Sequence, residues 1–506
     1  MAESMAQSMA ESIAGSSRAD RKLGRGLAGP VKHSWRTLVL LTLSLLTFSA
    51  CASEDAGAPW PQWRGPEGDG VSTEAPLPST WSLGGDNVRW RTEVPGVGNS
   101  QPVVADGRVF VTYAYREGAD PFEPEAEESE IDPEAESWSQ EDDAEAPPPD
   151  PRPAGAERVK WRAAMAIDLE TGDVLWQMPL FEAPTERKHR LNTIAAPTPV
   201  TDGRNLWVYF GSVLAKLDLD GEVLWQREID SGYGELTRYG AASSPVLTER
   251  DVIVVQDKEW ARTEDVGWIA AFSKETGEPR WRTEWEHTCC SYSTPLVVDR
   301  GAGEEIVFAH SGAVVSYSAR DGESLWSQPV EILQMVATPV LRTREPRARD
   351  LLAVAGGAHN VKRTILFELQ GAGRDTRAEL LWDDPRFAPQ NSSPVLYRDR
   401  LFTVNDAGVL TARELAGGDV IWNHRLARGK NRASLVAGDG KVYVQSSSGV
   451  VSVVAAEDDG SARILAENTL GDDGSNASPA IAGGCLLLRT ARHLTCVEAE
   501  AAEPPT

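Results

Sequence analysis

The stretch Leu169-Glu170-Thr171-Gly172-Asp173-Val174-Leu175-Trp176 decides the fold of this chain. Gly172 supplies the positive φ that a short hairpin turn requires, and apolar and polar residues alternate around it. Variants of this phrase end at five further tryptophans, namely Trp225, Trp281, Trp326, Trp382 and Trp422. The sequence therefore predicts one hairpin that recurs along the chain.

A second phrase precedes these hairpins. Small polar residues lead into a Pro or Leu and then a short apolar strand, as in Ser243-Ser244-Pro245-Val246. The phrase occurs eight times, at Pro102, Pro199, Pro245, Pro295, Pro339, Pro394, Leu435 and Pro479. Units of four short strands that recur about every 40–50 residues are typical of propeller blades.

The two ends of the repeat region complement one another. The eighth repeat stops at Leu494-Thr495-Cys496-Val497 without a tryptophan strand, and an orphan strand, Val88-Arg89-Trp90-Arg91, precedes the first repeat. Pairing these segments would close a ring and remove its exposed edge. We therefore predict an all-β, eight-bladed propeller over residues 59–498, with the N-terminal strand completing the last blade and residues 499–506 forming a tail.

The Thr-Gly-x-x-x-Trp ending resembles the pyrroloquinoline-quinone (PQQ) repeat. The opening Trp60-Pro61-Gln62-Trp63-Arg64-Gly65-Pro66, with Gly68-Asp69-Gly70, is similar to the start of PQQ-like propellers of exported bacterial proteins. The resemblance implies one of two functions. Some members are quinoprotein dehydrogenases, and others bind no cofactor, as in the BamB-like lipoproteins of outer-membrane assembly. The periodic tryptophans are expected to wedge between blades rather than to bind a cofactor.

Residues 1–51 have the pattern of a targeting segment. Basic residues precede an apolar run from Leu38 to Ala50, which is too short to span a bilayer but fits a secretory signal. The run ends in Thr47-Phe48-Ser49-Ala50-Cys51, which resembles a lipobox with Cys51 as the lipidated residue. Cleavage after Ala50-Cys51-Ala52 and an uncleaved anchor are the alternatives. Either Met5 or Met9 could be the start of the chain.

The net charge of −26 argues against a nucleic-acid partner, because a phosphate backbone would be repelled. Much of this charge is local. The stretch from Glu117 to Asp150 contains no Lys or Arg, and its many prolines and few apolar residues predict a disordered acidic insert over about 117–157. This insert is expected between the second and third strands of blade one.

The cysteines fit an exported protein. With Cys51 lipidated, four remain, and four cysteines allow three pairings. Cys289 and Cys290 are adjacent, and quinoprotein alcohol dehydrogenases are known for such a vicinal disulfide above PQQ. A structural vicinal disulfide, other pairings and free thiols stay open for this pair. Cys485 and Cys496 flank a predicted turn, so they form either a disulfide or two buried thiols.

Loops from each outer strand to the next inner strand should converge on one face of the ring, around the channel. Propellers usually bind through such a face, whereas the alternative is that these side chains cap turns. The candidate residues in these loops are Asn99, Asn192, Tyr239, Tyr292, Gln390, Asn391, Arg432 and Asn476. No nucleophile elbow, phosphate loop, paired carboxylate or metal-ligand spacing stands out.

These features favour a binding or scaffold protein over an enzyme. We expect a monomer on the periplasmic side of the envelope, attached by a lipid anchor to the outer membrane, that binds an envelope protein or small ligand at the channel face. Neither a catalytic residue nor a cofactor or metal is assigned. The alternative is a PQQ- and calcium-dependent quinoprotein dehydrogenase acting on alcohols or sugars. The adjacent Cys289 and Cys290 favour this alternative.

Overall fold

The computed structural model describes residues 58–116, 159–184, 192–229, 240–257, 266–286, 290–343, 349–358, 361–426, 429–457, 460–471 and 474–500. These residues form eight antiparallel sheets of four strands each, arranged as the blades of a ring. The predicted eight-bladed propeller is confirmed. The gap at 117–158 falls between the second and third strands of blade one, where the acidic insert was expected; the insert itself lies outside the described residues.

In blades one to seven the strands follow sequence order from the innermost to the outermost. The strands of blades one to four are β2 (Val103–Ala105), β3 (Arg108–Tyr115), β4 (Val159–Asp168), β5 (Val174–Pro184); β6 (Val200–Thr201), β7 (Asn205–Tyr209), β8 (Val213–Asp218), β9 (Val223–Glu228); β10 (Val246–Leu247), β11 (Asp251–Gln256), β12 (Val266–Ser273), β13 (Pro279–Glu286); β14 (Leu296–Asp299), β15 (Glu304–His310), β16 (Ala313–Ser318), β17 (Ser324–Pro329).

The remaining blades follow the same plan, with one 3-10 turn at Gly373–Asp375 in blade five. Their strands are β18 (Val340–Arg342), β19 (Asp350–Ala358), β20 (Val361–Gln370), β21 (Arg377–Asp384); β22 (Val395–Tyr397), β23 (Arg400–Val404), β24 (Val409–Glu414), β25 (Val420–Arg425); β26 (Val436–Gly438), β27 (Lys441–Gln445), β28 (Val450–Ala455), β29 (Ile464–Thr469); β30 (Ala480–Ala482), β31 (Cys485–Arg489), β32 (His493–Glu498) and β1 (Val88–Glu93).

The ring closes through the N-terminal strand, as predicted. Strand β1 pairs antiparallel with β32 and becomes the outer strand of blade eight. Trp90 lies opposite Cys496 and Thr92 lies opposite Leu494 in this pairing. The last blade is therefore built from both ends of the propeller chain and has four strands like the other seven.

The outer strand of every blade contains a β-bulge at the residue before the tryptophan position. In blade one, Ala166 pairs with Trp176 and Ile167 pairs with Val174, so Leu175 is the extra residue. The bulged residues of the eight blades are Arg89, Leu175, Leu224, Arg280, Leu325, Leu381, Ile421 and Leu465. A bulge bends the strand and re-aims the side chain beside it. Its recurrence accounts for the common direction of the tryptophans.

Five tryptophans use that direction to dock on the neighbouring blade. Each donates its indole N–H to a backbone oxygen in the turn between the third and fourth strands of the next blade. The pairs are Trp90 with Leu169 (2.8 Å), Trp176 with Leu219 (2.8 Å), Trp225 with Lys274 (3.2 Å), Trp281 with Ala319 (3.1 Å) and Trp382 with Leu415 (3.0 Å). The predicted wedging role of these tryptophans is confirmed.

Trp326 of blade four departs from this pattern. Its indole N–H donates to the Glu305 carboxylate of its own blade at 2.8 Å. Glu305 in turn accepts from Arg300, and both side chains are almost fully buried. Arg300 then reaches the turn of blade five, where it donates to the Gly371 oxygen and the Thr376 hydroxyl. A buried ion pair therefore links blades four and five in place of a direct indole bond.

Candidate functional site

The antiparallel blades present two different faces. The turn face carries the connections from first to second and from third to fourth strands, including the turn at 169–173. The loop face carries the connections from second to third strands and the loops from one blade to the next. All the described candidate residues lie in inter-blade loops and hence on the loop face. Tyr239 lies outside the described residues.

Two candidates meet in a polar cluster where blades four, five and six adjoin. The Asn391 side-chain amide donates to Asp406 Oδ1 at 2.9 Å, and Lys362 Nζ lies 3.0 Å from Asp406 Oδ2. Gln390 Nε2 donates to Gln334 Oε1 at 3.4 Å. All of these side chains are partly buried. The cluster gives the loop face a local set of amide and charged groups.

The other described candidates are distributed around the ring rather than gathered into one pocket. Asn192 Nδ2 donates to the Ala241 oxygen at 3.1 Å, which ties two successive inter-blade loops together. The Asn99 backbone N–H donates to Thr193 Oγ1 at 3.1 Å. Tyr292 is buried, and its N–H donates to the Met335 oxygen at 2.7 Å. Two candidates, Arg432 and Asn476, are half-buried in later loops. Asn99, Asn192 and Tyr292 therefore each connect one inter-blade loop to the next.

A ring of hydrogen bonds encircles the channel and explains the small polar residues of the second repeat phrase. The residues concerned are those that precede the Pro or Leu of each repeat phrase. In one blade this residue donates its backbone N–H, and in the next blade the equivalent residue accepts it with its side-chain hydroxyl. The bonds run Gln101 to Thr198, Thr198 to Ser244, Ser244 to Thr294, Thr294 to Thr338, Thr338 to Ser393, Ser393 to Ser434 and Ser434 to Ser478. All seven acceptor residues are buried. We call this the hydroxyl ring.

Gln101 occupies the blade-one position of the ring in place of a Ser or Thr. Its side-chain oxygen accepts the backbone N–H of Arg64 at 2.7 Å, and its amide nitrogen donates to the Pro479 oxygen of blade eight. Gln101 is fully buried. The exceptional residue of the ring therefore binds the segment that precedes the propeller repeats.

That segment runs along the inner strands from the turn face. Trp60 forms an antiparallel bridge with Val104 of blade one, and Trp63 Nε1 donates to the Thr338 hydroxyl of blade five at 2.9 Å. Arg64 donates to the Pro394 oxygen at 2.5 Å and to the Leu435 oxygen at 3.3 Å. We call residues 60–70 the axial segment. In the sequence, this segment resembles the start of PQQ-like propellers, but nothing in it indicates which blades it binds.

Two buried arginines lie beside Ser100 and Gln101. Burial lowers the pKa of Arg64 to about 10, against the opposing effect of the Asp69 carboxylate, and burial lowers the pKa of Arg489 to about 9. Arg489 donates to the oxygens of Ser100 (3.1 Å) and Thr112 (2.9 Å). Both guanidinium groups stay protonated at neutral pH, and their planar forks hold backbone oxygens in place.

The cysteine pairings are partly resolved. Cys485 and Cys496 form a disulfide in blade eight, with Cα atoms 5.5 Å apart and both residues fully buried. This selects the disulfide over two buried thiols. Cys290 is also disulfide-bonded, and it lies on the loop face, where its backbone oxygen accepts the Met335 N–H at 2.9 Å. Cys289 lies outside the described residues, as does Cys51.

An aromatic cluster lies between blades three and four. His310 Nε2 and the Tyr317 hydroxyl are 2.6 Å apart, and the Trp285 ring is 4.3 Å from the His310 ring. Burial lowers the pKa of His310 to about 3 and raises that of Tyr317. The imidazole is therefore neutral at physiological pH and is held as a core residue.

The described residues contain neither a candidate metal site nor a candidate membrane-spanning helix. No group of three or more His, Cys, Asp or Glu side chains there is arranged to hold a metal ion. No helix in the same part of the chain has both the length and the apolar character needed to cross a bilayer.

The eight four-stranded blades, with their Thr-Gly turns and docked tryptophans, define a PQQ-like β-propeller. The chain belongs to the family described as outer membrane protein assembly factor BamB, whose model matches residues 162–361 and 377–501. It is 22% identical over 329 residues to outer membrane protein assembly factor BamB of Yersinia pestis, covering 64% of this chain and 76% of that protein.

Similar solved structures include quinohemoprotein alcohol dehydrogenase of Comamonas testosteroni, with a TM-score of 0.58 at 12% identity over 88% of this chain and 82% of that chain. BamB of Moraxella catarrhalis gives a TM-score of 0.41 at 19% identity, over 58% of this chain and 81% of that chain. At such identities structural likeness shows the fold alone. The choice between binding and dehydrogenase functions rests on the residues of this chain.

Proposed function

We propose that this protein is a non-catalytic propeller of the cell envelope that binds a protein or small ligand through its loop face. One observation carries the proposal: partly buried amide and charged side chains gather on the loop face, whereas the axial segment enters the channel from the turn face and reaches the hydroxyl ring. Membership of the BamB family supports an envelope partner, since the relatives are named as outer-membrane assembly factors.

Export and lipid anchoring are part of this proposal. Buried disulfides persist in oxidising compartments, and the Cys485–Cys496 bond fits such a location. Metabolic labelling with a radioactive fatty acid would test the anchor. We expect label on the wild-type chain and none on Cys51→Ala, with Ala52→Ser as the control that keeps the thiol. Equal labelling of C51A and wild type would overturn the anchor, and unlabelled wild type would favour ordinary signal cleavage.

Affinity capture from envelope extracts tests the binding face. We expect one stoichiometric partner with wild type, and its loss with Gln390→Arg, which adds a bulky cation to the cluster around Asp406. Thr171→Arg adds the same charge to an exposed position on the turn face and serves as the matched control. If Q390R keeps the partner and T171R loses it, the partner binds the turn face, and the proposal is overturned.

The PQQ- and calcium-dependent dehydrogenase is the second candidate, favoured by the disulfide-bonded Cys290 on the loop face. The residues on the axis do not suit a planar quinone, because Trp63 and Arg64 take up hydrogen bonds at the level of the hydroxyl ring. We therefore propose that no cofactor binds. Titration of residues 52–506 with PQQ and calcium should leave Trp fluorescence unchanged and give no dye-linked alcohol or sugar oxidation. Saturable quenching with turnover would establish the dehydrogenase instead.

A further inference from the structure

The axial segment contacts inner strands on both sides of the channel. Trp60 bridges Val104 of blade one, whereas Trp63, three residues later, binds Thr338 of blade five. Blades one and five face each other across an eight-bladed ring. The Trp63 side chain therefore reaches across the channel from a segment whose backbone lies on blade one.

Backbone hydrogen bonds fix both ends of the axial segment. The Thr201 N–H of blade two donates to the Pro61 oxygen at 2.9 Å. At the other end, the Ala437 N–H of blade seven donates to the Gly70 oxygen, and the Ser72 N–H donates to the Ala437 oxygen, both at 2.8 Å. The segment is therefore tied by backbone hydrogen bonds to the inner strands of blades two and seven, which are three blades apart in the ring.

Side chains extend the contacts to further blades. Arg64 reaches the Pro394 oxygen of blade six and the Leu435 oxygen of blade seven. Just beyond the segment, the Glu74 carboxylate accepts the N–H groups of Gly483 and Gly484 in blade eight, at 2.9 and 2.8 Å. Such a set of partners binds the segment to the ring as a whole.

The axial segment is closely packed. Trp60 is 1% exposed and Arg64 is fully buried. A Cβ atom at Gly65 would lie 2.9 Å from the Trp60 ring, and one at Gly70 would lie 2.6 Å from Arg64 Nη2. Both glycines have positive φ, at 82° and 81°. Only glycine meets the conformational and the steric requirement at these two positions.

Gln101 is the ring residue adapted to this arrangement. A Thr at position 101 would offer a hydroxyl like those of the other blades, but it would be too short to accept from Arg64 and donate to Pro479 together. Gln101 therefore replaces Ser or Thr in blade one, where the ring residue must also bind the axial segment.

We infer that residues 60–70 are a built-in plug that closes the turn-face end of the channel, with Gln101 as its latch. Access to the channel from the turn face is then blocked, and a ligand or partner binds from the loop face. The closure stands on the contacts of the segment; the restriction of binding to the loop face rests on the proposed function.

Hydrogen exchange followed by mass spectrometry tests the plug in the absence of any ligand. In Gln101→Thr, we expect amides of residues 60–72 to exchange at least about tenfold faster, because the latch is lost and the segment opens locally. Amides of β23 and β27 should keep their wild-type rates. Thr198→Ser is the matched control, since it keeps the ring hydroxyl that accepts from Gln101 and should leave both regions unchanged.

A second variant guards against general misfolding. Gln101→Glu keeps an acceptor for the Arg64 N–H but places a charged oxygen against the Pro479 oxygen at a buried position, so its plug should also exchange faster than that of wild type. Unchanged exchange of residues 60–72 in Q101T would overturn the latch. Equal acceleration of the plug and the blade strands in both Gln101 variants would overturn the separate plug, whatever the protein binds.

Discussion

Trp90 and Gly172 close the ring. Trp90 lies in the outer strand of blade eight, and its indole N–H donates to the Leu169 oxygen of blade one at 2.8 Å. Gly172, in the same turn, lies so close beneath that a Cβ atom would be 2.6 Å from the indole ring. The blade completed by the N-terminal strand thus docks by the same contact that joins blades one and two.

This contact predicts a specific cost for a methyl group at position 172. Both Gly172 and Gly107 have positive φ, at 77° and 69°, but a Cβ at Gly107 would meet no atom within 4 Å. Gly107→Ala should cost about 1–2 kcal/mol for the backbone conformation alone. Gly172→Ala should cost about 1–3 kcal/mol more, because the indole must move. Chemical denaturation of the two variants checks the difference; equal losses would contradict the docking account.

Neutralising Asp383 and neutralising Asp384 should change the free energy of unfolding by very different amounts. Asp384 Oδ2 lies 2.6 Å from Nη1 of Arg413, whose side chain is fully buried, whereas Asp383 pairs with the partly exposed Arg363. Asp384→Asn should cost about 3–5 kcal/mol, since it leaves a buried cation without its counterion. Asp383→Asn should cost no more than about 1 kcal/mol. Urea unfolding at pH 7 compares them, and similar losses would show that Arg413 does not need this partner.

Protonation of the Asp384 carboxylate should lower the stability of the fold at low pH. Burial disfavours the ionised form of Asp384, but hydrogen bonds from Arg386 and Arg413 outweigh burial and lower its pKa to about 2. Because the pKa is below its unfolded value, the stabilisation is complete above about pH 4 and is lost as the pH falls toward 2. Asp384→Asn should therefore lack this acid-dependent part of the unfolding free energy.

His310 predicts a loss of stability at milder acidity. Its pKa is lowered to about 3 by burial, so below the ordinary value of about 6.5 only the unfolded chain takes up the proton. Between pH 7 and 5 this removes about 2 kcal/mol from the unfolding free energy. His310→Gln should show a correspondingly smaller pH dependence over that interval. The exposed His424→Gln is the control, and a wild-type slope in H310Q would contradict the buried neutral imidazole.

The repeated elements could be predicted from the sequence because each carries its own signal. The Thr-Gly turns, the blade period and the orphan strand at Trp90 gave eight blades and the way they close. The loop-face placement of Asn99 and Asn391 followed from topology. The hydrogen bonds of Asn192 and Asn391 within the loops did not, because they depend on which neighbouring loop is near.

Non-repeated features were harder to predict. Trp63 and Arg64 bind blades five, six and seven, and nothing local to residues 60–70 indicates such distant partners. Gln101 was visible as the one long side chain among Ser and Thr, and this exception was the available signal for the plug. The pairing of Cys485 with Cys496 stayed open because it depends on the register of two strands.

Site-specific photo-crosslinking in the envelope of producing cells tests whether one face of the propeller recognises a partner. A benzophenone side chain at Gln390 probes the loop face, and one at Thr171 probes the turn face closed by the plug. We expect a reproducible adduct of a single envelope protein from position 390 and none from position 171. An adduct from position 171 alone, or the same adduct from both positions, would contradict one-sided recognition.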